Sequence, residues 1–215
     1  MERVSALNYE FPLALLVQFA KAPLLGQVKT RMQPVLSVAQ SLALHCDLVR
    51  HTHQTLHRDA LCQSQLWTSG EDRADFFKSL LPPPDIQCQQ GVDLGERMHF
   101  AIASGLKRWR AVVLIGSDCP AINGNYLRQA LLALESVDVV LGPAADGGYV
   151  LIAMKRAEPR VFEGVEWSTC RVLGQTQARL ASLKMSCHVL PVLNDIDRPE
   201  DLVHLNGLAP QQNSL

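Results

Sequence analysis

The sequence predicts an α/β protein whose mostly parallel sheet is covered by helices on both faces. Short apolar segments alternate with longer amphipathic ones along the chain, which is the order expected of strands and helices in such a fold. The strand candidates are almost continuously apolar, as in Leu13–Phe19 and Ala111–Gly116, and strands of this kind are buried on both faces. The chain has 215 residues with no linker or repeat, so we expect one domain with its core at about 11–206 and a disordered tail at 209–215.

The first half alternates regularly between the two kinds of element. After the strand at Leu13–Phe19, a loop containing Gly and Pro leads to a helix at Ser37–Arg58, where apolar residues recur at helical spacing. The predicted order then continues with a strand at Leu61–Thr68, a short helix at Arg73–Leu81 stopped by three prolines, a short strand at Ile86–Gln89 and a helix at Leu94–Trp109.

The second half begins with the clearest strand, Ala111–Gly116, which is β-branched, apolar and ended by glycine. The elements predicted after it are a helix at Asn125–Glu135, strands at Val137–Leu141 and Tyr149–Met154, a helix at Arg171–Leu183, a strand at His188–Leu193 and a short helix at Pro199–Leu205. Ligands of such sheets bind outside the carboxyl ends of the strands. We therefore expect the functional loops to follow Phe19, Ile115, Leu141 and Leu193.

Composition and charge exclude several classes of protein. Hydrophobic residues make up 47% and charged residues 19% of the chain, which is typical of a folded protein and not of a disordered one. Twenty Lys and Arg against 21 Asp and Glu leave no positive field that would attract nucleic acid or anionic lipid. No apolar run approaches the roughly 20 residues of a membrane span, and the N-terminus lacks the features of a signal peptide. We expect a cytoplasmic protein that binds neither nucleic acid nor membranes.

The cysteines and the histidines of the first helix are expected to have no catalytic or metal-binding role. The six cysteines are scattered without a Cys-x-x-Cys pair, which predicts reduced and mostly buried thiols. Cys119 has no obvious base nearby, so packing is favoured over a nucleophilic role. Four histidines share the first helix, but no carboxylate completes a site with them, so we expect all four on the surface: His45, His51, His53 and His57.

A basic loop directly after the first strand is the first candidate for ligand binding. Lys21, Lys29 and Arg31 supply mobile and bidentate cations that suit a diphosphate or triphosphate, and Gly26 permits close approach to the backbone. The loop has neither P-loop nor dinucleotide-binding spacing. A solvated basic loop explains these residues equally well.

Three acidic segments follow later strands. Asp118, in Gly-Ser-Asp-Cys-Pro, either holds Mg²⁺ or caps the next helix. Asp146, in Asp-Gly-Gly, either binds substrate hydroxyls or aids the metal, or it forms a reverse turn. Asp195 and Asp197 alternate along an extended segment, so either is a plausible second metal ligand facing Asp118. The residues after them, Pro199–Asp201, also suit the start of a helix.

Two further segments are less distinctive. The glycines around the helix start at Leu94 indicate an anion or nucleotide-base site, with Gly95 and Arg97 as candidate ligands, or only a loop and a cap. The stretch Trp167–Thr169 is either a lid over an acceptor or a packing segment.

In combination, these motifs resemble the nucleotide-diphospho-sugar transferase superfamily, which has a GT-A-type fold. The resemblance spans residues 13–205 and rests on segments 19–23, 26–31, 93–98, 116–120, 142–149 and 167–169. Within the superfamily, the chain is similar to the radical-SAM/selenodomain-associated, glycosyltransferase-like family. That family is in turn similar to the guanylyltransferases of molybdenum-cofactor and phospholactate metabolism.

The resemblance implies a three-layer α/β/α fold with a mixed, mainly parallel sheet, a nucleotide pocket over its first half and an acceptor pocket over its second. It places the phosphates on three cations, Lys21, Lys29 and Arg31, with Lys29 closest to the charge that develops in the transition state. It also implies that Asp118, together with Asp195 or Asp197, binds Mg²⁺ or Mn²⁺. Arg198 departs from related sequences, which often carry Thr there, so the cap of the last helix is expected to differ.

The implied function is a metal-dependent transferase, glycosyltransferase-like, that uses an NDP-sugar or NTP donor and a small-molecule acceptor. If sugar is transferred, Asp146 is the expected acceptor base. A guanylyltransferase-like nucleotidyltransferase that releases pyrophosphate is one alternative, and a non-catalytic nucleotide-binding protein is another. The sequence leaves the oligomeric state open.

Overall fold

The structure, a computed structural model, describes residues 8–70 and 74–205. The predicted tail at 209–215 and Arg73, the first residue of a predicted helix, lie outside them. Within the described part, seven strands form one sheet: β1 Ala14–Ala20, β2 Gln63–Thr68, β3 Ile86–Cys88, β4 Ala111–Gly116, β5 Val139–Pro143, β6 Tyr149–Met154 and β7 Cys187–Val189. The α-helices are α1 Val38–Arg58, α2 Ala74–Lys78, α3 Leu94–Gly105, α4 Gly124–Ser136 and α5 Val172–Ser182. Short 3₁₀ turns occur at Thr30–Met32, Pro159–Val161 and Pro199–His204.

The strand order is β3-β2-β1-β4-β6-β5-β7, and β6 alone runs antiparallel to its neighbours. A parallel crossover needs a dozen or more residues, and the loop between Pro143 and Tyr149 is too short for one. The first residue of β6 therefore lies at the same edge of the sheet as the carboxyl ends of the other strands. The predicted mixed, mainly parallel sheet is confirmed.

Helices cover both faces, as predicted, because side chains alternate along the buried strands. Leu16 of β1 packs in one core cluster with residues of α4, whereas Leu15 and Val17 pack in another with residues of α3 and α5. None of the helices within residues 8–70 and 74–205 combines the length and apolar character that a membrane crossing requires.

Several predicted boundaries are wrong. α3 ends at Gly105, short of the predicted Trp109; a methyl group at Gly105 would lie 2.7 Å from the Val112 side chain, so the helix end packs tightly on β4. β5 begins two residues later than predicted and extends to Pro143. β7 ends at Val189, and beyond it Leu193 forms only an isolated bridge with the loop after β5.

The surface prediction is also wrong for two histidines of α1. His45 and His53 are 4% and 2% exposed, and the Nε2 atom of each lies within hydrogen-bonding distance of a carbonyl oxygen, that of Lys21 (3.0 Å) and of Pro82 (2.6 Å). Burial lowers the pKa of both rings. These contacts connect α1 to the loops that contain Lys21 and Pro82.

All six cysteines are free thiols. Cys62 and Cys119 are buried, but Cys88 and Cys170 are exposed, so the expectation of mostly buried thiols holds only in part.

Candidate functional site

The charged residues singled out in the sequence meet in one cleft at the carboxyl edge of the sheet. This central cleft has a volume of about 440 Å³, and its charged lining comprises Lys21, Lys29, Arg31, Asp118, Asp146, Asp195 and Asp197. They come from the loops after β1, β4 and β5 and from the segment after β7. The antiparallel direction of β6 adds Tyr149 to the same lining.

Two smaller cavities adjoin the central cleft. A first-half pocket of about 270 Å³ lies over β1, β2 and β3 and is lined in part by Ser69, Gln89 and Arg97. A second-half pocket of about 170 Å³ is lined by parts of the segments 144–150 and 167–172, by Leu94 and Met98 of α3, and by Asp195. Together the three cavities form a groove with room for an extended ligand.

Lys29 has an unusual backbone conformation, and contacts of its side chain fix its position. Its φ of 49° and ψ of 36° are left-handed, a conformation that costs a residue with a side chain about 1–2 kcal/mol. Its side chain is only 4% exposed, and Nζ lies 2.6 Å from Oδ1 of Asp118 and donates to the carbonyl oxygen of Ile196. Strained residues of this kind cluster at functional sites, and here the surrounding structure fixes the ammonium group between two loops.

Asp118 is anionic and half exposed. Burial of Oδ1 would raise its pKa, but the charge and hydrogen bond of Lys29, with smaller contributions from His45 and Lys21, hold the pKa below its usual value. The Asp118 side chain as a whole is 49% exposed, so the carboxylate also reaches the cleft. Its backbone carbonyl accepts a hydrogen bond from Ile196 (2.8 Å), which fixes the segment after β7 beside it.

Cys119 packs against the same segment, in agreement with the sequence prediction. Its Sγ contacts the carbonyl oxygen of Asn194 at 3.3 Å. Burial raises the pKa of the thiol to about 11, so at neutral pH it is protonated and a poor nucleophile.

Asp195 and Asp197 both line the cleft, but only one of them is paired. Asp197 lies 2.5 Å from a guanidinium nitrogen of Arg31. Asp195 forms no ion pair within the described chain, and its pKa is raised to about 6 by burial and by the negative charges of Asp146, Asp118 and Asp197. A cation bound in the cleft would therefore stabilise the ionised Asp195 carboxylate, which has no cationic partner within the described chain.

The start of the last 3₁₀ turn is capped by Asp201, whereas a difference from related sequences at Arg198 stays a prediction. The Arg198 side chain makes no capping hydrogen bond. Asp201 replaces it, because its Oδ2 accepts hydrogen bonds from the backbone N–H groups of Asp197 (2.9 Å) and Arg198 (2.7 Å). Asp201 thus has the structural role expected of it.

Asp146 forms the predicted turn and lines the cleft, whereas its contact with substrate or metal stays a prediction. Its Oδ1 accepts the backbone N–H of Gly148 at 2.8 Å, which closes the turn before β6. The residue is exposed and lines both the central cleft and the second-half pocket, so its other oxygen can face a ligand.

The three other residues predicted to contact a nucleotide, Gly26, Gly95 and Arg97, do not all line the cavities. Gly26 has a φ of 77° in a turn and does not line the three cavities. Gly95 is glycine for a packing reason, because a methyl group there would lie 2.6 Å from the Trp167 ring. Arg97 lines the first-half pocket, and its Nε donates to the carbonyl oxygen of Gly91 at 3.1 Å. Nucleotide contact by these three residues stays a prediction.

Ser69 and Gln89 line the first-half pocket and were missed in the sequence. Ser69 directly follows β2 and Gln89 directly follows β3, and the rule that sites lie beyond the carboxyl ends of strands would have found them. Gln89 is anchored by its amide nitrogen, which donates to the carbonyl oxygen of Trp67 at 3.0 Å.

The fold and the position of the groove define the class: this is a protein of the nucleotide-diphospho-sugar transferase superfamily, as the motifs predicted. A candidate nucleotide-diphospho-sugar transferase from Desulfovibrio desulfuricans G20, known from a crystal structure, superposes with a TM-score of 0.85 and 31% identity, over 94% of this chain and 90% of that one. CMP:2-keto-3-deoxy-manno-octonic acid synthetase in complex with CTP matches with a TM-score of 0.60 and 10% identity, over 91% and 97%, which shows the fold alone.

The particular family follows from the sequence profile that matches residues 52–169, more than half of the chain. The protein belongs to DUF2064, described as an uncharacterized protein conserved in bacteria. It is also 30% identical over 119 residues to 3-phospho-D-glycerate guanylyltransferase of Phenylobacterium zucineum (strain HLK1), a match that covers 54% of this chain. The chain spans about half the length of that curated relative, 53%. The radical-SAM association stays a prediction.

Proposed function

We propose that this protein is a divalent-metal-dependent nucleotidyltransferase, which binds a nucleoside triphosphate and transfers its nucleotidyl group to a small acceptor with release of pyrophosphate. The observation that carries the proposal is that Lys21, Lys29 and Arg31 line the same cleft as the carboxylates of Asp118 and Asp195. Three cations suit the charge of a triphosphate. The guanylyltransferase relative and the superfamily fold support the same class of reaction.

The carboxylates fit a magnesium or manganese ion. No group of three or more His, Cys, Asp or Glu side chains in the described part of the chain is arranged to hold a metal ion by itself. Mg²⁺, however, commonly takes one or two protein carboxylates and completes its shell with water and substrate phosphates. Asp118 and Asp195 supply that pair. Asp195 is preferred to Asp197 because it has no cationic partner within the described chain, and burial and the surrounding carboxylates raise its pKa, which a bound cation would reverse. The bound ion would neutralise charge on the departing diphosphate.

The two ion pairs of the cleft prepare its cations for phosphate. In the free protein, Lys29 is paired with Asp118 and Arg31 with Asp197. Incoming phosphate oxygens compete for Lys29 and Arg31 and leave Asp118 available to the metal. Lys29 stabilises the charge that develops on the leaving group, and loss of one such fixed donor typically lowers kcat by about 10²–10³.

Glycosyl transfer from an NDP-sugar is the second candidate. It requires a base for the acceptor hydroxyl, and Asp146 has an oxygen not engaged in its turn and borders the second-half pocket. Nucleotidyl transfer needs no such base, because an acceptor phosphate is already ionised.

The products separate the two reactions. The protein is incubated with Mg²⁺ and one nucleotide at a time, GTP, CTP, UTP or ATP. The acceptors tested with each nucleotide are a panel of sugar phosphates and 3-phospho-D-glycerate. Release of pyrophosphate that depends on the acceptor supports the proposal. Release of free NDP from UDP-glucose or GDP-mannose supports the second candidate. Calorimetry measures nucleotide binding with and without Mg²⁺.

The variant Asp118→Asn is expected to lose turnover and Mg²⁺-dependent binding. Asp47→Asn is the matched control, because Asp47 forms a partly exposed ion pair with Arg50 and lines none of the three cavities. If no nucleotide binds in the presence of Mg²⁺, the proposal is wrong. Nucleotide binding that survives Asp118→Asn, in a protein without turnover, would instead indicate a non-catalytic nucleotide-binding protein.

A further inference from the structure

A buried polar network joins the carboxyl ends of β1 and β4. Ser117, which follows β4 and precedes Asp118, is 4% exposed, and its hydroxyl donates to the carbonyl oxygen of Phe19 in β1 at 2.7 Å. The side-chain amide of Gln18 donates to the Ser117 Oγ and to the carbonyl oxygen of Val49 in α1, each at 3.0 Å. The network therefore connects β1, the end of β4 and α1 at the edge of the sheet that carries the cleft.

The hydroxyl group of Ser117 has one orientation in this network. A hydroxyl has a single proton, and the N–H of Gln18 occupies a lone pair of the Ser117 oxygen, so the Ser117 proton is directed to the Phe19 carbonyl. Thr52 of α1 also holds the Ser117 backbone, because its hydroxyl donates to the Ser117 carbonyl oxygen at 3.4 Å. Since the Ser117 hydroxyl is engaged twice, it acts on the site through its neighbours and not by contact with a ligand.

The fold by itself does not require the amide of Gln18. The other six residues of β1 are apolar, and all seven are buried. Gln18 is 1% exposed, and its Oε1 has no hydrogen-bond partner in the described part of the chain, which is destabilising for a buried polar atom. A methionine of similar length would avoid this cost, because the Val49 carbonyl lies inside α1 and has a helical partner. A polar residue that packing disfavours is expected where function needs it.

The two loops that the network joins carry opposite sides of the site. The loop after β1 supplies Lys29, and Ser117 is followed directly by Asp118. The 2.6 Å contact between Lys29 Nζ and Asp118 Oδ1 therefore depends on how far apart these loops begin. The Asp118 backbone carbonyl in turn accepts the N–H of Ile196 at 2.8 Å, so the position of Asp118 also affects the segment after β7.

We propose that Ser117 is a positioning residue for the reaction, and that its hydroxyl, directed by Gln18, holds Asp118 in place against the loop after β1. This inference rests on the proposed function, in which Asp118 binds the metal ion and Lys29 the phosphates. A misplacement of about 1 Å can lower the rate of a reaction by about 10²-fold. A network that is unfavourable for the stability of β1 is thereby explained by its effect on the site.

Kinetics and thermal denaturation of two variants test the proposal. Pyrophosphate release is measured with Mg²⁺ and the nucleotide and acceptor that react fastest, and Tm is measured without ligands. Ser117→Ala is expected to lower kcat by about 10- to 100-fold and to leave KM for the nucleotide nearly unchanged. Gln18→Met, which keeps the hydroxyl but removes its orientation, should lower kcat by about 3- to 10-fold with an unchanged or higher Tm. The double variant should lose no more than Ser117→Ala alone, because Gln18 acts through the hydroxyl.

Hydrogen exchange reports the position of Asp118 without any reaction. The Ile196 N–H is protected by its bond to the Asp118 carbonyl oxygen. In Ser117→Ala without ligands, exchange at Ile196 is expected to be about 3- to 10-fold faster relative to the amides of β6, the change typical of one weakened hydrogen bond. A purely structural role of Ser117 would accelerate exchange at Ile196 and in β6 alike.

Ser64→Ala is the matched control. The Ser64 hydroxyl also connects a strand to α1, since it lies 3.0 Å from the Nε2 atom of His57. Ser64 is near the amino end of β2, however, and lines none of the three cavities. This variant is expected to keep the kcat of the unmutated protein and its relative exchange rate at Ile196.

The outcomes separate this inference from the proposed function. If Ser117→Ala keeps the kcat of the unmutated protein, or its relative exchange at Ile196, the inference is wrong and the proposed function stands. Losses that multiply in the double variant would show that Gln18 does not act through the Ser117 hydroxyl. If Ser117→Ala does not fold, an unchanged kcat in Gln18→Met overturns the inference. If the unmutated protein releases no pyrophosphate from any nucleotide, the proposed function is wrong and the positioning role falls with it.

Discussion

Replacement of Asp195 by asparagine should stabilise the free protein while it abolishes metal-dependent binding. The Asp195 carboxylate is surrounded by the negative charges of Asp146, Asp118 and Asp197 and is partly buried, which together raise its pKa to about 6. An unfolded chain has an aspartate pKa of about 3.9. At a pH between these two pKa values, Asp195 is protonated in the folded protein but ionised in the unfolded chain. The free energy of unfolding therefore falls as the pH rises from the lower pKa to the higher one.

At pH 7 Asp195 is ionised in both the folded protein and the unfolded chain, so the folded protein bears the full free-energy cost of this charge among its negative neighbours. The difference in pKa sets an upper limit of about 3 kcal/mol. Since Asp195 is partly exposed, we expect Asp195→Asn to raise the free energy of unfolding by about 1–2 kcal/mol. For a chain of 215 residues, this corresponds to an increase in Tm of about 2–8 °C. At pH 4 most of the difference should vanish, because Asp195 is then protonated in the folded protein.

Urea titrations and thermal scans from pH 4 to pH 8, without metal or nucleotide, measure this difference directly. Addition of Mg²⁺ and GTP should then stabilise the unmutated protein by mass action and leave the Asp195→Asn variant unchanged. The control Asp47→Asn breaks a partly exposed ion pair and should change stability by less than about 1 kcal/mol at every pH. A loss of stability in Asp195→Asn at pH 7, or a gain that is independent of pH, would refute the reasoning.

Three further substitutions test other parts of the site. Lys29→Met should lower kcat/KM for pyrophosphate release by about 10²–10³. It should lower the free energy of unfolding by no more than about 2 kcal/mol, because the half-exposed Asp118 can be rehydrated. The exposed control Lys78→Met should keep full activity, and less than a tenfold loss in Lys29→Met would contradict the role assigned to Lys29. Gly95→Ala places a methyl group 2.6 Å from the Trp167 ring; denaturation should show a loss of about 1–3 kcal/mol and a changed Trp fluorescence, and an unaltered protein would disprove the packing argument. Asp201→Ala removes the acceptor of two backbone N–H groups and should cost about 1 kcal/mol, measured by urea titration; Asp201→Asn, which keeps one acceptor oxygen, should recover most of it, and equal losses in both variants would argue against the capping role.

The positions of most helices and strands were predictable because they depend on local patterns. The bounds of β4 and β6 agree with prediction, and α1 begins after Ser37, whose side chain accepts the Gln40 N–H and caps the helix. The same patterns failed where distant residues decide. The sequence does not show which face of α1 meets the sheet, so the burial of His45 and His53 against carbonyl groups of remote loops was missed.

The conformational demands on the glycines and on Ser168 were also beyond the sequence. The sequence indicated a ligand site or only a loop and a cap at Gly95, but it could not show that the Trp167 ring, more than 70 positions away along the chain, requires a glycine there. Positive φ at Lys29 and Ser168 has no signature in residue type, because neither lysine nor serine favours that conformation.

The sequence by itself determined the fold class and the set of charged residues at the strand ends, since apolar alternation and strand order are encoded locally and the carboxyl edge of a parallel sheet gathers those ends. Only the tertiary structure decided how the charges pair: Lys29 with Asp118, Arg31 with Asp197, and Asp195 with neither. The reason is physical. Coulomb energies depend on distances of a few ångströms between side chains, and these distances are set by loops that are more than 80 residues apart in the chain.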